Sequence, residues 1–133
     1  MKKNTLITLL IFFYTFNIFA NEPKLDQIIN GLDNPWSLTF VNNDKVLITE
    51  KSGNLLLVNL NNRKTRKINH NLNILEDGQG GLLEVLYYKD QVFVSYTEDR
   101  KKGNSSTSVA KAKFNNLELN FQNIFRAEPP INS

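Results

Sequence analysis

The sequence predicts an all-β chain on three observations. Eight short strand-like runs, most of them apolar, follow one another between polar turn clusters from residue 37 onward. The first hairpin of the second four matches that of the first four, with their turns 46 residues apart. After residue 20, no helix-length amphipathic run is found.

Ser37 to Val41 is the first run, rich in β-formers. Lys45 to Glu50 follows the turn cluster Asn42-Asn43-Asp44, and Leu55 to Leu60 follows Ser52-Gly53-Asn54. Arg63 to Ile68 comes after Asn61-Asn62. Four strands joined by tight polar turns make a meander of hairpins. The order then returns with Leu82 to Tyr88, and with Gln91 to Thr97 after Lys89-Asp90. Thr107 to Phe114 follows a polar loop, Glu98 to Ser106, and Leu117 to Phe125 follows Asn115-Asn116. The matching turns end at Asp44 and Asp90, 46 residues apart. A repeat of about 40–50 residues with four strands per unit is the signature of a β-propeller blade. The predicted fold is therefore two adjacent, antiparallel, four-stranded blades.

Runs apolar almost throughout suit sheets covered on both faces, as stacked blades are. A blade's outermost strand lies at the rim. Arg63-Lys64-Thr65-Arg66-Lys67 fits that place as a solvated edge whose charges block stray pairing, rather than as a basic patch for an anionic partner. Closed propellers have about four to eight blades. Two blades leave two apolar outer faces, so the chain reads as the front of a longer protein and is expected to associate when alone.

The N-terminus has the three-part layout of a secretory signal: Met1-Lys2-Lys3, an uncharged apolar stretch from Thr5 to Phe19, and Ala20 at the cleavage point. The apolar stretch falls short of the roughly 20 residues a membrane helix needs. The division is thus 1–20 signal peptide and 21–133 an incomplete propeller, in a periplasmic or secreted protein with no membrane span after cleavage. Two of the 16 basic residues lie in the signal, which leaves the remainder nearly neutral against 13 acidic ones. That weighs against nucleic acid as a partner. Cysteine is absent and there is one histidine. These counts exclude disulfides, thiolate catalysis, thiolate metal sites and a two-histidine metal site within one chain.

The most distinctive cluster is Glu76-Asp77-Gly78-Gln79-Gly80-Gly81-Leu82-Leu83. Its glycines mark a backbone that turns sharply or is approached closely. The loop enters the innermost strand of the second blade, where residues can face the propeller axis. Gln79 offers two donors and a carbonyl acceptor to a polar ligand there. The glycines do not form a phosphate-binding fingerprint.

Other candidates are weaker. Glu98-Asp99 and Glu76-Asp77 are sequence neighbours and do not face one another across a substrate. His70 reads as a surface loop histidine and Trp36 as a packing residue at a strand start. Asn104-Ser105-Ser106 fits a glycosylation acceptor but reads as loop sequence.

Gly31-Leu32-Asp33-Asn34-Pro35-Trp36-Ser37-Leu38, Thr49-Glu50-Lys51-Ser52-Gly53 and Gly78-Gln79-Gly80-Gly81-Leu82-Leu83, followed by Phe125-Arg126-Ala127-Glu128-Pro129, form a set in fixed order. In that order and spacing the chain resembles the soluble pyrroloquinoline-quinone (PQQ)-dependent aldose dehydrogenases, the glucose/sorbosone dehydrogenase family, from Leu25 to Ser133. The resemblance implies a six-bladed exported propeller that oxidises the anomeric hydroxyl of a sugar to the lactone. It implies PQQ and calcium at the axis, an aldose and an electron acceptor as partners, and a histidine base. It carries one site residue onto this chain, Gln79, beside cofactor and substrate. The family has arginine where this chain has Lys51, and Lys51 is assigned no site role. The family's histidine belongs to a Gly-x-His-Phe-Gly stretch that is expected beyond Ser133, encoded with further blades after codon 133. His70 has no matching motif. No catalytic residue and no metal ligand is assigned within this chain, which is expected to be inactive alone and to bind neither PQQ nor calcium.

Two other readings stay open. One is an exported, non-catalytic propeller module that binds a ligand or protein through its axis loops. The other is a lactonase-type hydrolase, whose metal site would want several Asp, Glu or Asn ligands at strand starts. The glycine cluster favours the dehydrogenase.

Overall fold

The computed structural model describes residues 23–132. The expected signal segment lies outside the described residues. Strands β1 (Pro35–Asn42), β2 (Lys45–Glu50), β3 (Leu55–Asn59) and β4 (Lys64–His70) form one antiparallel meander. Strands β5 (Leu82–Tyr88), β6 (Gln91–Asp99) and β7 (Asn104–Lys113) form a second. The β5–β6 hairpin closes through Lys89 and Asp90, whose φ values of 47° and 61° are those a two-residue hairpin turn requires. Among the described residues no helix is long and apolar enough to cross a membrane.

The two sheets stack. Leu47, Leu55, Leu57 and Ile68 of the first share one core with Val85, Val92, Val94 and Tyr96 of the second. β1 and β5 are edge strands and lie side by side. The amides of Val85 and Tyr87 donate to the Ser37 and Thr39 hydroxyls at 3.3 and 3.2 Å, and the Thr49 hydroxyl donates to the Leu83 carbonyl at 2.6 Å. Polar side chains thus pin the innermost strands together where neither sheet can extend its ladder into the other.

The run predicted from Leu117 to Phe125 is not one strand. β8 (Glu118–Leu119) pairs in parallel with the end of β4, and β9 (Gln122–Arg126) pairs with β7. The cause is burial. Leu119 and Phe121 both enter the core between the sheets, so the chain crosses from one sheet to the other. Asn71 holds the crossing, donating to the Phe121 carbonyl at 3.1 Å and accepting its amide at 2.8 Å. β10 (Ile131–Asn132) then pairs with the start of β7. The first sheet therefore has five strands with one parallel pair, not four antiparallel ones. The predicted loop Glu98–Ser106 shrinks likewise to a turn through Lys101, Lys102 and Gly103, all at positive φ. Ser105 and Ser106 are buried in β7. The strands of the second sheet alternate more than expected, with Val92, Val94, Tyr96 and Glu98 buried in turn along β6.

The first part of β4 stays an exposed edge because β8 reaches only Asn69 and His70, as expected of its charges. The outer faces keep exposed apolar side chains, Leu38 and Phe40 on one and Leu86 and Phe125 on the other. Ile29 and Leu32 pack against Val46, Ile48 and Val58 and cover part of the first face.

Candidate functional site

The glycine run turns sharply and is also closely approached. The Gly80 amide closes a turn onto the Asp77 carbonyl at 2.6 Å. Gly78 and Gly81 have φ of +50° and +152°, a region that disfavours any side chain. A Cβ on Gly80 would lie 2.8 Å from the Thr97 hydroxyl, and one on Gly81 would lie 2.7 Å from the Lys51 side chain. The run is also sewn into the second sheet. Leu75 donates to the Thr97 carbonyl and Thr97 to the Gly81 carbonyl, both at 2.9 Å. Gln79 sits exposed at the turn, and its amide makes no hydrogen bond among the described residues. A shallow cavity of about 280 Å³ borders the same run, lined by Asp77, Gly80, Thr97, Thr107 and Asn132 among others.

Three segments far apart in sequence meet here. The Lys51 amide donates to the Asn34 carbonyl, and the Lys51 carbonyl accepts from the Leu82 amide, each at 3.0 Å. Buried Glu50 accepts the Asp33 amide at 2.8 Å and the Asn54 side chain at 2.7 Å. Glu50 thus fixes the chain before β1 and the β2–β3 turn together. Trp36 is 47% exposed next to this junction and does not pack into the core as expected.

His70 is no surface loop residue. It ends β4, is half-buried, and packs edge-on to Phe121. Its Nε2 lies 2.8 Å from the Gly53 carbonyl, and its Nδ1 accepts the Leu72 amide at 3.3 Å. A hydrogen on Nε2 with Nδ1 accepting satisfies both contacts. Both nitrogens are occupied by backbone, so His70 is a structural tie and not a free base.

The sequence reading missed one cluster. Glu98 is 8% exposed. Its Oε2 accepts from the Ser108 hydroxyl at 2.6 Å, Asn123 at 3.1 Å and Arg126 Nε at 2.8 Å, while Oε1 accepts from Arg126 at 2.9 Å. Burial alone would raise this carboxyl. Hydrogen bonds from Arg126 and Ser108 outweigh burial and hold it below the usual carboxylate range. Burial pushes the neighbouring Tyr96 phenol up, and its hydroxyl donates to Asn123 at 2.8 Å. With every acceptor of Glu98 engaged, the cluster is suited to holding β6, β7 and β9 in register. Among the described residues no group of three or more His, Asp or Glu is placed to hold a metal ion.

Two stacked multi-stranded sheets, joined at their inner edges and carrying a glycine-framed polar turn, define adjacent blades of a β-propeller. The chain belongs to the family described as Glucose / Sorbosone dehydrogenase, whose profile matches residues 32–133. A crystal structure titled glucose dehydrogenase is 32% identical, with a TM-score of 0.75, over 82% of this chain and 34% of its own. The soluble aldose sugar dehydrogenase of Escherichia coli, in its apo-form, is 26% identical with a TM-score of 0.67, over 74% of this chain and 31% of its own. The PQQ-bound aldose sugar dehydrogenase of Streptomyces coelicolor is 17% identical, with a TM-score of 0.69, over 79% of this chain and 34% of its own. No curated protein gives a match. The chain spans about a third of the length of the solved structures it matches.

Proposed function

We propose that this chain forms the first two blades of an exported, PQQ-dependent aldose dehydrogenase that oxidises a sugar's C1 hydroxyl to the lactone. Gln79 is the residue it brings to the sugar. The observation that carries the reading is the Gly78–Gly81 turn, which holds an exposed amide, without a partner among the described residues, at the joint between the two blades. Such an amide can accept from one sugar hydroxyl and donate to the next, orienting the ring without chemistry of its own.

When bound, PQQ would supply the electron sink for oxidation at the sugar's C1. It carries three carboxylates and calls for cations. The described residues form no such cradle: beside the turn stands Lys51, and its ammonium donates to the Gly78 carbonyl. In this reading quinone, calcium and base are held by the blades that complete the ring, and these two blades supply a contact to the sugar.

The test is Gln79→Ala in a complete propeller enzyme that contains these two blades. Losing a sugar contact should raise KM for the aldose about tenfold. Unchanged KM and kcat would remove Gln79 from the site. The 133-residue chain, given PQQ, calcium, an aldose and a redox dye, should reduce no dye above background. Dye reduction would show that base and cofactor ligands lie within it.

A further inference from the structure

We infer that Lys51 is the positioning residue that sets the Gln79 turn, acting across the joint between the blades. Its bearing on sugar binding rests on the reading of Gln79 given above.

Lys51 touches the turn in three independent ways. Its ammonium donates to the Gly78 carbonyl, one residue before Gln79. Its carbonyl accepts the Leu82 amide at 3.0 Å, three residues after Gln79. Its side-chain stem runs past Gly81 so closely that a Cβ there would lie 2.7 Å from Lys51 Cγ. The turn is therefore held on both flanks and along one wall by a single residue of the other blade. Lys51 is itself held, since its amide donates to the Asn34 carbonyl at 3.0 Å and its neighbour Glu50 bridges Asp33 and Asn54.

The geometry explains two features of the sequence together. Gly81 lacks a side chain because the Lys51 stem and backbone occupy that space. Position 51 is basic because the Gly78 carbonyl points out of the turn and takes a charge-assisted hydrogen bond, which is stronger than a neutral one. A long stem with a terminal donor meets both needs. Arginine also has both, so either cation serves at this position, whereas methionine keeps only the stem.

Exchange of backbone hydrogens, followed by mass spectrometry on the 133-residue chain, tests this directly. Lys51→Met keeps the packing against Gly81 and removes the donor. Exchange over residues 76–82 should quicken about tenfold while β2 and β3 keep their rates. Lys51→Arg should restore the slow exchange. The inference is overturned if Lys51→Met leaves 76–82 unchanged, if exchange quickens equally in β2 and β3, or if Arg does no better than Met. In a complete propeller enzyme containing these two blades, Lys51→Met should raise KM for the aldose more than it lowers kcat. If Gln79→Ala leaves sugar oxidation untouched while the exchange result holds, the substrate reading fails and the Lys51 clamp stands.

Discussion

Arg126 grips Glu98 with two parallel hydrogen bonds, Nε to Oε2 at 2.8 Å and Nη2 to Oε1 at 2.9 Å. The pair ties β9 to β6 across the intervening β7, and Ser108 of β7 adds its hydroxyl at 2.6 Å. No side-chain polar atom buried among the described residues lacks a partner. Removing one member breaks that balance. Ser108→Ala should lower stability by about 1–2 kcal/mol, because a buried carboxylate loses a donor. Arg126→Leu should lower it further, since Glu98 then stays buried with no paired cation. Urea unfolding should rank the midpoints wild type, Ser108→Ala, Arg126→Leu. Equal midpoints for wild type and Arg126→Leu would mean the pair contributes nothing.

The same cluster gives the fold a pH dependence of definite sign. Glu98 is held below the carboxylate range in the fold, and unfolding releases it to the ordinary value of about 4.3. The unfolded chain then binds more protons, so the contribution is fully present above that value and fades as pH falls through the folded one. Glu98→Gln lacks this contribution. The stability gap between wild type and Glu98→Gln should be widest near about pH 6 and narrow towards about pH 3. A gap that stays constant over that window would contradict the assignment.

Strand positions were legible because local signals agree with the fold. Asn42-Asn43-Asp44 and Lys89-Asp90 mark turns, and the apolar runs between such marks became strands within a few residues. The glycine run was legible as well, since positive φ and close approach leave a chemical trace in the sequence. What failed was long-range. Nothing local tells that Leu119 and Phe121 turn into a core shared by two sheets and so break one strand into β8 and β9. His70 looked like loop because its partners, Gly53 and Leu119, lie distant in sequence. In the sequence Glu98 stands only as half of an acidic pair with Asp99. The alternation of Tyr96 and Glu98 on the inward face of β6 was the signal that could have flagged it.

Gly81→Ala should be among the most damaging single-methyl changes in the chain. Its φ is +152°, and the added carbon would press on the Lys51 carbonyl and stem. Gly103 is the control, with φ +73° but nothing within 4 Å of an added Cβ. Gly103→Ala should cost only backbone strain, about 1 kcal/mol, and Gly81→Ala roughly 3 kcal/mol or more. Thermal unfolding compares them directly. Equal losses would mean that Lys51 yields to the methyl without resistance, and the tight joint between the blades would have to be given up.

The outer faces lead to the last prediction. Phe40 is 61% exposed on the first sheet and Phe125 is 54% exposed on the second. With an exposed aromatic on each sheet, the first face of one copy can meet the second face of the next. A head-to-tail contact of that kind leaves a free face at each end and can continue. The 133-residue chain should therefore sediment as species that grow with concentration. Phe40→Ser with Phe125→Ser removes an aromatic ring from each face. Both side chains are already largely in water, so each change should alter stability by only about 0.5 kcal/mol. The double variant should sediment closer to a monomer at the same concentration, with its unfolding midpoint little changed. If it associates as strongly as the wild type, the contact lies elsewhere, and the exposed edge of β4 from Lys64 to Lys67 becomes the surface to test.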